Sequence, residues 1–131
     1  MRILIAEDDF ISQRIMREIL GEFGSCDIAV SGTEVIREFR SSLDNCRPYQ
    51  AIFLDIMMPH INGIEALRQI RAVEETMNGS LQSAVKVIMT TALDDPKTAA
   101  GACYEGGADA YLVKPVTRHK LLGELKKVGL L

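Results

Sequence analysis

The sequence predicts an α/β fold: a doubly wound, five-stranded parallel sheet of order 2-1-3-4-5 built from five βα units. Two observations lead there. Five short and nearly continuous apolar runs recur along the chain, and each is followed by a longer stretch with helical periodicity. Near-continuous apolar strands are what a parallel sheet covered on both faces requires. Strict alternation of strand and helix gives βα units, and right-handed crossovers on five strands favour the doubly wound order.

The first strand is read at Arg2–Ala6 and runs into Glu7-Asp8-Asp9. The helix after it places Ile11, Ile15, Ile19 and Phe23 on one stripe, with Met16 and Leu20 beside it. The second strand is Cys26–Val30; Ser31 or Thr33 can cap the following helix, which carries Val35, Ile36 and Phe39. The third strand, Ala51–Leu54, delivers Asp55 to its tip, with Ile56-Met57-Met58-Pro59 and Asn62-Gly63 behind it. A third helix starts near Ile61 and carries Ile64, Leu67, Ile70, Ala72 and Val73; Asn78-Gly79 reads as its stop. The fourth strand, Val85–Thr90, leads to Asp94-Asp95-Pro96, a cap followed by a first-turn proline. The fifth, Ala110–Val113, ends at Lys114-Pro115, and the last helix carries Leu121, Leu122, Leu125 and Val128. Two connections are long, Ser41–Gln50 and Met77–Ala84.

A length of 131 residues suits one core, so residues 1–131 are expected to form a single domain with no output domain. With 47% hydrophobic and 25% charged residues and a net charge of -3, bulk charge gives no argument for a nucleic-acid-binding surface. Cys26, Cys46 and Cys103 have neither metal nor redox spacing and read as buried or half-buried thiols of a reducing compartment. The apolar stretch Ile3–Ala6 is too short for a signal peptide, and no run approaches membrane-spanning length. The expected location is cytoplasmic, with no membrane partner.

In the doubly wound order, ligands bind beyond the carboxyl ends of the strands, at the switch point between strands 1 and 3. The acids after strand 1 and Asp55 after strand 3 meet there, and the threonines of strand 4 and Lys114 of strand 5 end on the same edge. Clustered carboxylates, one lysine and a hydroxyl make a site for a divalent cation and for a phosphoryl group taken up on Asp55.

The segments Ile3-Leu4-Ile5-Ala6-Glu7-Asp8, Leu54-Asp55-Ile56-Met57-Met58-Pro59 with Asn62-Gly63, Met89-Thr90-Thr91-Ala92, Gly106-Gly107-Ala108-Asp109-Ala110-Tyr111 and Leu112-Val113-Lys114-Pro115 occur in this order across the five units. Together they resemble the response-regulator receiver domain of two-component signalling, in its stand-alone, chemotaxis-regulator-like form, over essentially the whole chain. The resemblance implies a flavodoxin-like fold and a signalling switch, not an enzyme, that assists its own phosphorylation and dephosphorylation. It implies Asp55 as phosphoacceptor, Mg2+ as cofactor, Lys114 as partner of the phosphoryl group and a cis Lys114–Pro115 peptide.

Three acids compete for the metal-binding pair. In the family, apolar helix positions follow the second acid by seven, eight, eleven and twelve residues. From Asp8 these are Ile15, Met16, Ile19 and Leu20; from Asp9 they are Met16, Arg17, Leu20 and Gly21. Glu7 and Asp8 are therefore the expected pair, Asp8 as direct ligand and Glu7 through water, with Asp9 at the helix start. The family adds the backbone carbonyl two residues after the phosphoacceptor, here that of Met57. A hydroxyl followed by a small residue at the end of strand 4 fits Thr91-Ala92, making Thr91 the switch hydroxyl and Tyr111 the aromatic that follows it. His60 and His119 read as solvated loop and helix-end residues. Met57 and Leu93, apolar at positions beside the site, imply slow loss of the phosphoryl group.

The implied partners are a histidine kinase or histidine phosphotransfer protein and a downstream protein target, the state a monomer or a phosphorylation-dependent dimer. A phosphorelay intermediate and a degenerate receiver acting only as an interaction module are the alternatives. The stretch Arg71-Ala72-Val73-Glu74-Glu75 leans toward receivers of relays. An aspartyl-phosphate phosphohydrolase lacks its second aspartate, because Met57 stands there; a flavin domain lacks a phosphate loop, because Glu7-Asp8-Asp9-Phe10 repels phosphate.

Overall fold

The computed structural model describes residues 1–77, 84–92 and 96–131, without the side chains of 96–99. Its elements are β1 (Arg2–Ala6), α1 (Phe10–Leu20), β2 (Ser25–Ala29), α2 (Gly32–Asp44), β3 (Ala51–Asp55), α3 (Gly63–Thr76), β4 (Lys86–Thr91), α4 (Pro96–Glu105), β5 (Ala110–Val113) and α5 (Arg118–Lys127). All neighbouring strands are parallel, in the order β2-β1-β3-β4-β5. The sequence-based topology is thus observed.

Alternate strand residues face opposite layers. Leu4, Ala6, Ile52, Leu54, Val87 and Met89 meet Ile36 and Phe39 of α2, Leu67 and Ile70 of α3 and Cys103 of α4. Ile3, Ile5, Phe53 and Ile88 face the other way, onto Met16 and Leu20 of α1 and Leu121 and Leu125 of α5. Each fully buried side chain of this size contributes about 1.5–3 kcal/mol.

Several local expectations shift. β2 starts at Ser25 and ends at Ala29, one residue early, because among the described residues it pairs with β1 alone, in the register Arg2↔Ser25 to Ala6↔Ala29. β3 runs through Asp55 and β4 from Lys86 through Thr91, since Asp55 pairs with Thr90 and Thr91 with Val113. The α1 stripe is corrected: Met16 and Leu20 are buried, whereas Ile11 is 67% and Ile15 43% exposed. A row spaced by four residues advances about 40° per step round a helix, so it leaves the core within two turns. Ser31, not Thr33, caps α2, and Asn62 caps α3, two residues later than expected. Cys46 is exposed rather than half-buried. α4 does start at Pro96; the expected cap Asp94-Asp95, the stop Asn78-Gly79 and Leu93 lie outside the described residues. No helix among the described residues is long and apolar enough to cross a membrane.

Candidate functional site

β1, β3, β4 and β5 end on one edge, and each brings one part of the site. Glu7 follows the last residue of β1, and its N–H still bonds the Ala29 carbonyl at 3.0 Å. Asp55 is the last residue of β3 and only 4% exposed, and Glu7 is 1% exposed. Lys114 Nζ joins them, donating to Glu7 Oε1 at 2.5 Å and to Asp55 Oδ2 at 2.9 Å. The second Asp55 oxygen, Oδ1, accepts from the Met57 N–H at 3.1 Å.

A tight backbone approach holds Asp55 in place. The Gly63 N–H bonds the Ile56 carbonyl at 2.8 Å, and a Cβ on Gly63 would lie 2.1 Å from the Asp55 carbonyl oxygen. Only glycine lets the start of α3 close this near to the strand tip. On the other side, the Ile56 N–H bonds the Thr90 carbonyl at 3.0 Å.

The three expected cation carboxylates do converge. Glu7, Asp8 and Asp55 each offer an oxygen, all within 4.8 Å of one another, with Asp8 exposed and the other two buried. Oxygen donors alone suit a hard cation such as Mg2+. Fully ionised, three carboxylates and one lysine leave two negative charges, which one divalent cation would balance. Burial pushes the Glu7 carboxyl above its usual range; the Lys114 hydrogen bond opposes that and the Asp55 carboxylate adds to it. Burial acts to lower the Lys114 pKa, but its bonds to Glu7 and Asp55 prevail and raise it. The residues present therefore fit the expected ion.

Asp9 stands apart from this cluster. Its Oδ2 accepts from the Ser12 N–H at 2.9 Å and the Ser12 hydroxyl at 2.8 Å, which makes it the N-cap of α1. Thr91 is fully buried at the end of β4, and its carbonyl accepts from the Lys114 N–H at 2.7 Å. Tyr111 is half-buried on β5, opposite Met89, against the core under α2, α3 and α4. Lys114–Pro115 is cis, as the resemblance implies. Met57 is 62% exposed beside the cluster. His60, at a φ of 68°, and His119 are exposed.

Sequence reasoning missed Gln13, whose Nε2 donates to the Glu7 carbonyl at 2.7 Å. It also missed the open apolar face of α1. Phe10 and Ile11 are each 67% exposed, and Ile15, 43% exposed, lines a cavity of about 410 Å3 together with Ser12, Ala92, Lys114, Pro115 and Val116. The polar side chain at Gln13 and the second apolar row were visible in the sequence; their bearing on the site depends on how α1 rolls against the sheet.

Residues 3–126 match the family model of the response regulator receiver domain. The sensory/regulatory protein RpfC of Xanthomonas campestris pv. campestris is 32% identical over 125 residues, 95% of this chain and 16% of that protein. The peroxide stress-activated histidine kinase mak2 of Schizosaccharomyces pombe is 35% identical over 129 residues, 98% of this chain and 5% of that protein. The chain thus spans no more than about a sixth of such relatives. Among solved structures, the co-crystal of the Saccharomyces cerevisiae histidine phosphotransfer signaling protein Ypd1 with the receiver domain of its downstream response regulator Ssk1 matches with a TM-score of 0.86, at 29% identity. That match covers 98% of this chain and 88% of the matched one. The CheX-CheY-BeF3-Mg complex of Borrelia burgdorferi gives a TM-score of 0.82 at 26% identity, covering 97% of this chain and 87% of the other.

Proposed function

The chain belongs to the response regulator receiver domain family, and from that premise we propose that it takes up a phosphoryl group on Asp55, with Mg2+, from a phosphohistidine of a histidine kinase or histidine phosphotransfer protein. The observation that carries this reading is the convergence of Glu7, Asp8, Asp55 and Lys114 at one sheet edge.

Glu7, Asp8, Asp55 and the Met57 carbonyl would hold the ion. When bound, it supplies positive charge to the carboxylate and phosphoryl oxygens. Asp55 is the nucleophile: its oxygen forms a bond to phosphorus as the donor's phosphorus–nitrogen bond breaks and the imidazole departs. The Met57 N–H on Oδ1 fixes the carboxylate plane. Lys114, already 2.9 Å from Oδ2, pairs with the phosphoryl oxygens as their charge develops. Thr91 donates its hydroxyl to the phosphoryl group, and Tyr111 follows it. This shifts an equilibrium between two states and re-forms a protein-binding surface on α4, β5 and α5.

The role as a relay intermediate has its own support. Phe10, Ile11 and Ile15 of α1 are exposed apolar side chains, and Ile15 lines the cavity beside Lys114 with Ala92, Pro115 and Val116. A donor histidine must reach Asp55 past this rim, and an apolar helix carrying that histidine fits it. The Ypd1–Ssk1 likeness is consistent with such a partner.

Beryllofluoride, a tetrahedral mimic of the phosphoryl group, tests the site without a kinase. In 15N-correlation spectra, Mg2+ with beryllofluoride is expected to shift the amides around Asp55, Thr91 and Lys114. The shifts should vanish in Asp55→Asn and when Mg2+ is withheld. Equal shifts in Asp55→Asn would refute the assignment.

A further inference from the structure

The turn that carries the acid pair leaves one backbone acceptor beyond the sheet. The Glu7 N–H makes the last bond to β2, which ends at Ala29, so among the described residues the Glu7 carbonyl has no strand neighbour. An unpaired buried carbonyl is costly. Gln13, the fourth residue of α1, reaches back and donates its Nε2 to that oxygen at 2.7 Å.

This carbonyl lies in the same planar peptide unit as the Asp8 N–H. Fixing its direction fixes the plane that carries the Asp8 N and Cα, and leaves the φ torsion of Asp8 to set how its carboxylate leaves the backbone. The other flank of Asp8 is held too. The Asp9 N–H donates to Glu7 Oε2 at 3.2 Å, and the Asp9 carboxylate is fastened to Ser12. Asp8 itself remains exposed between two anchored neighbours.

Resting on the reading of Glu7, Asp8 and Asp55 as the cation site, we infer that Gln13 is a positioning residue for that site. Its side-chain amide sets the Glu7–Asp8 peptide plane from α1 and thereby tunes cation affinity, acting through Asp8. Groups that orient metal ligands from outside the ligand shell commonly govern affinity in this way.

The test is a titration of the apo protein with Mn2+, an oxygen-seeking probe followed by electron paramagnetic resonance, on the parent, Gln13→Leu and Gln13→Asn. Leucine removes the donor at similar size; asparagine keeps the amide but falls short of the carbonyl, and so serves if leucine disturbs folding. Both variants are expected to bind Mn2+ about 10-fold more weakly, the lower end of such outer-shell effects. The Mg2+ concentration that half-saturates phosphorylation by acetyl phosphate should rise in parallel, with the rate at saturating Mg2+ unchanged. Variants that bind Mn2+ as tightly as the parent overturn the inference, whatever happens to their unfolding midpoint, because a purely structural role lowers stability alone. A parent that binds no Mn2+ overturns the cation-site reading instead, and this inference falls with it.

Discussion

Replacing Lys114 by methionine keeps the side-chain length and removes the charge that joins two buried carboxylates. Glu7 and Asp55 then face each other with the ammonium gone, and breaking a buried pair in this way costs about 3 kcal/mol. The sign of the pH dependence follows from Glu7. Its carboxyl is raised in the folded protein, so the folded state binds the extra proton and stability falls as pH rises from the ordinary 4.5 through the folded value. Without Lys114 the bond that lowers this pKa is lost, and that window extends upward. Lys114's own contribution is complete at neutral pH, since a raised amine loses it only as pH rises through its folded value, above the ordinary 10.5. The expected result is a Lys114→Met deficit in urea unfolding that is largest at neutral pH, shrinks toward pH 4.5 and is partly restored by Mg2+. A deficit independent of both pH and Mg2+ would contradict the charge pairing. At this scale the sequence was explicit about residue types. The choice of Glu7 and Asp8 over Asp9 rests on the family's register of apolar positions after the second acid, and the structure gives Asp9 a separate task as helix cap.

Among the elements, the strands were the most legible, because burial on both faces writes itself as unbroken apolar runs. Helix faces were less so. In α1 two apolar rows compete, and only the packing of β1 against α1 decides that Met16 and Leu20 go inside while Phe10, Ile11 and Ile15 stay out. Long-range polar ties were not legible at all. Arg71 on α3 donates to the carbonyls of Gly107 and Val85 and pairs with Glu74 at 2.6 Å and Asp109 at 2.8 Å. The two carboxylates in turn accept from the N–H groups of Val85 and Val87. Gly107, at a φ of 102°, leaves room for this side chain, since a Cβ there would lie 3.1 Å from Arg71 Cγ. One arginine thus clasps α3 to the starts of β4 and β5, at the sheet edge opposite the acidic site. Arg71→Ala is expected to destabilise by about 2 kcal/mol in urea unfolding while leaving cation binding intact. An unchanged unfolding midpoint would show that the clasp adds nothing.

For the molecule as a whole, topology does what no single motif does. Residues more than a hundred positions apart, Glu7 and Lys114, meet because the order 2-1-3-4-5 sets β1, β3, β4 and β5 side by side with their carboxyl ends aligned. That meeting was legible from alternation and crossover handedness alone. The exposed apolar residues of α1 were not, because their exposure depends on how the helix packs and not on its periodicity. The apolar rim around Lys114 emerged only from the packed structure. The proposed chemistry rests on one carboxylate, Asp55, held at a strand tip between a lysine and two further carboxylates. The most direct measurement is the intact mass of the parent and of Asp55→Asn after incubation with acetyl phosphate, with Mg2+ and with a chelator. The expected result is one added phosphate on the parent with Mg2+, and none on Asp55→Asn or in chelator. Phosphate on Asp55→Asn, or none on the parent from acetyl phosphate or from a phosphorylated histidine donor, would contradict it.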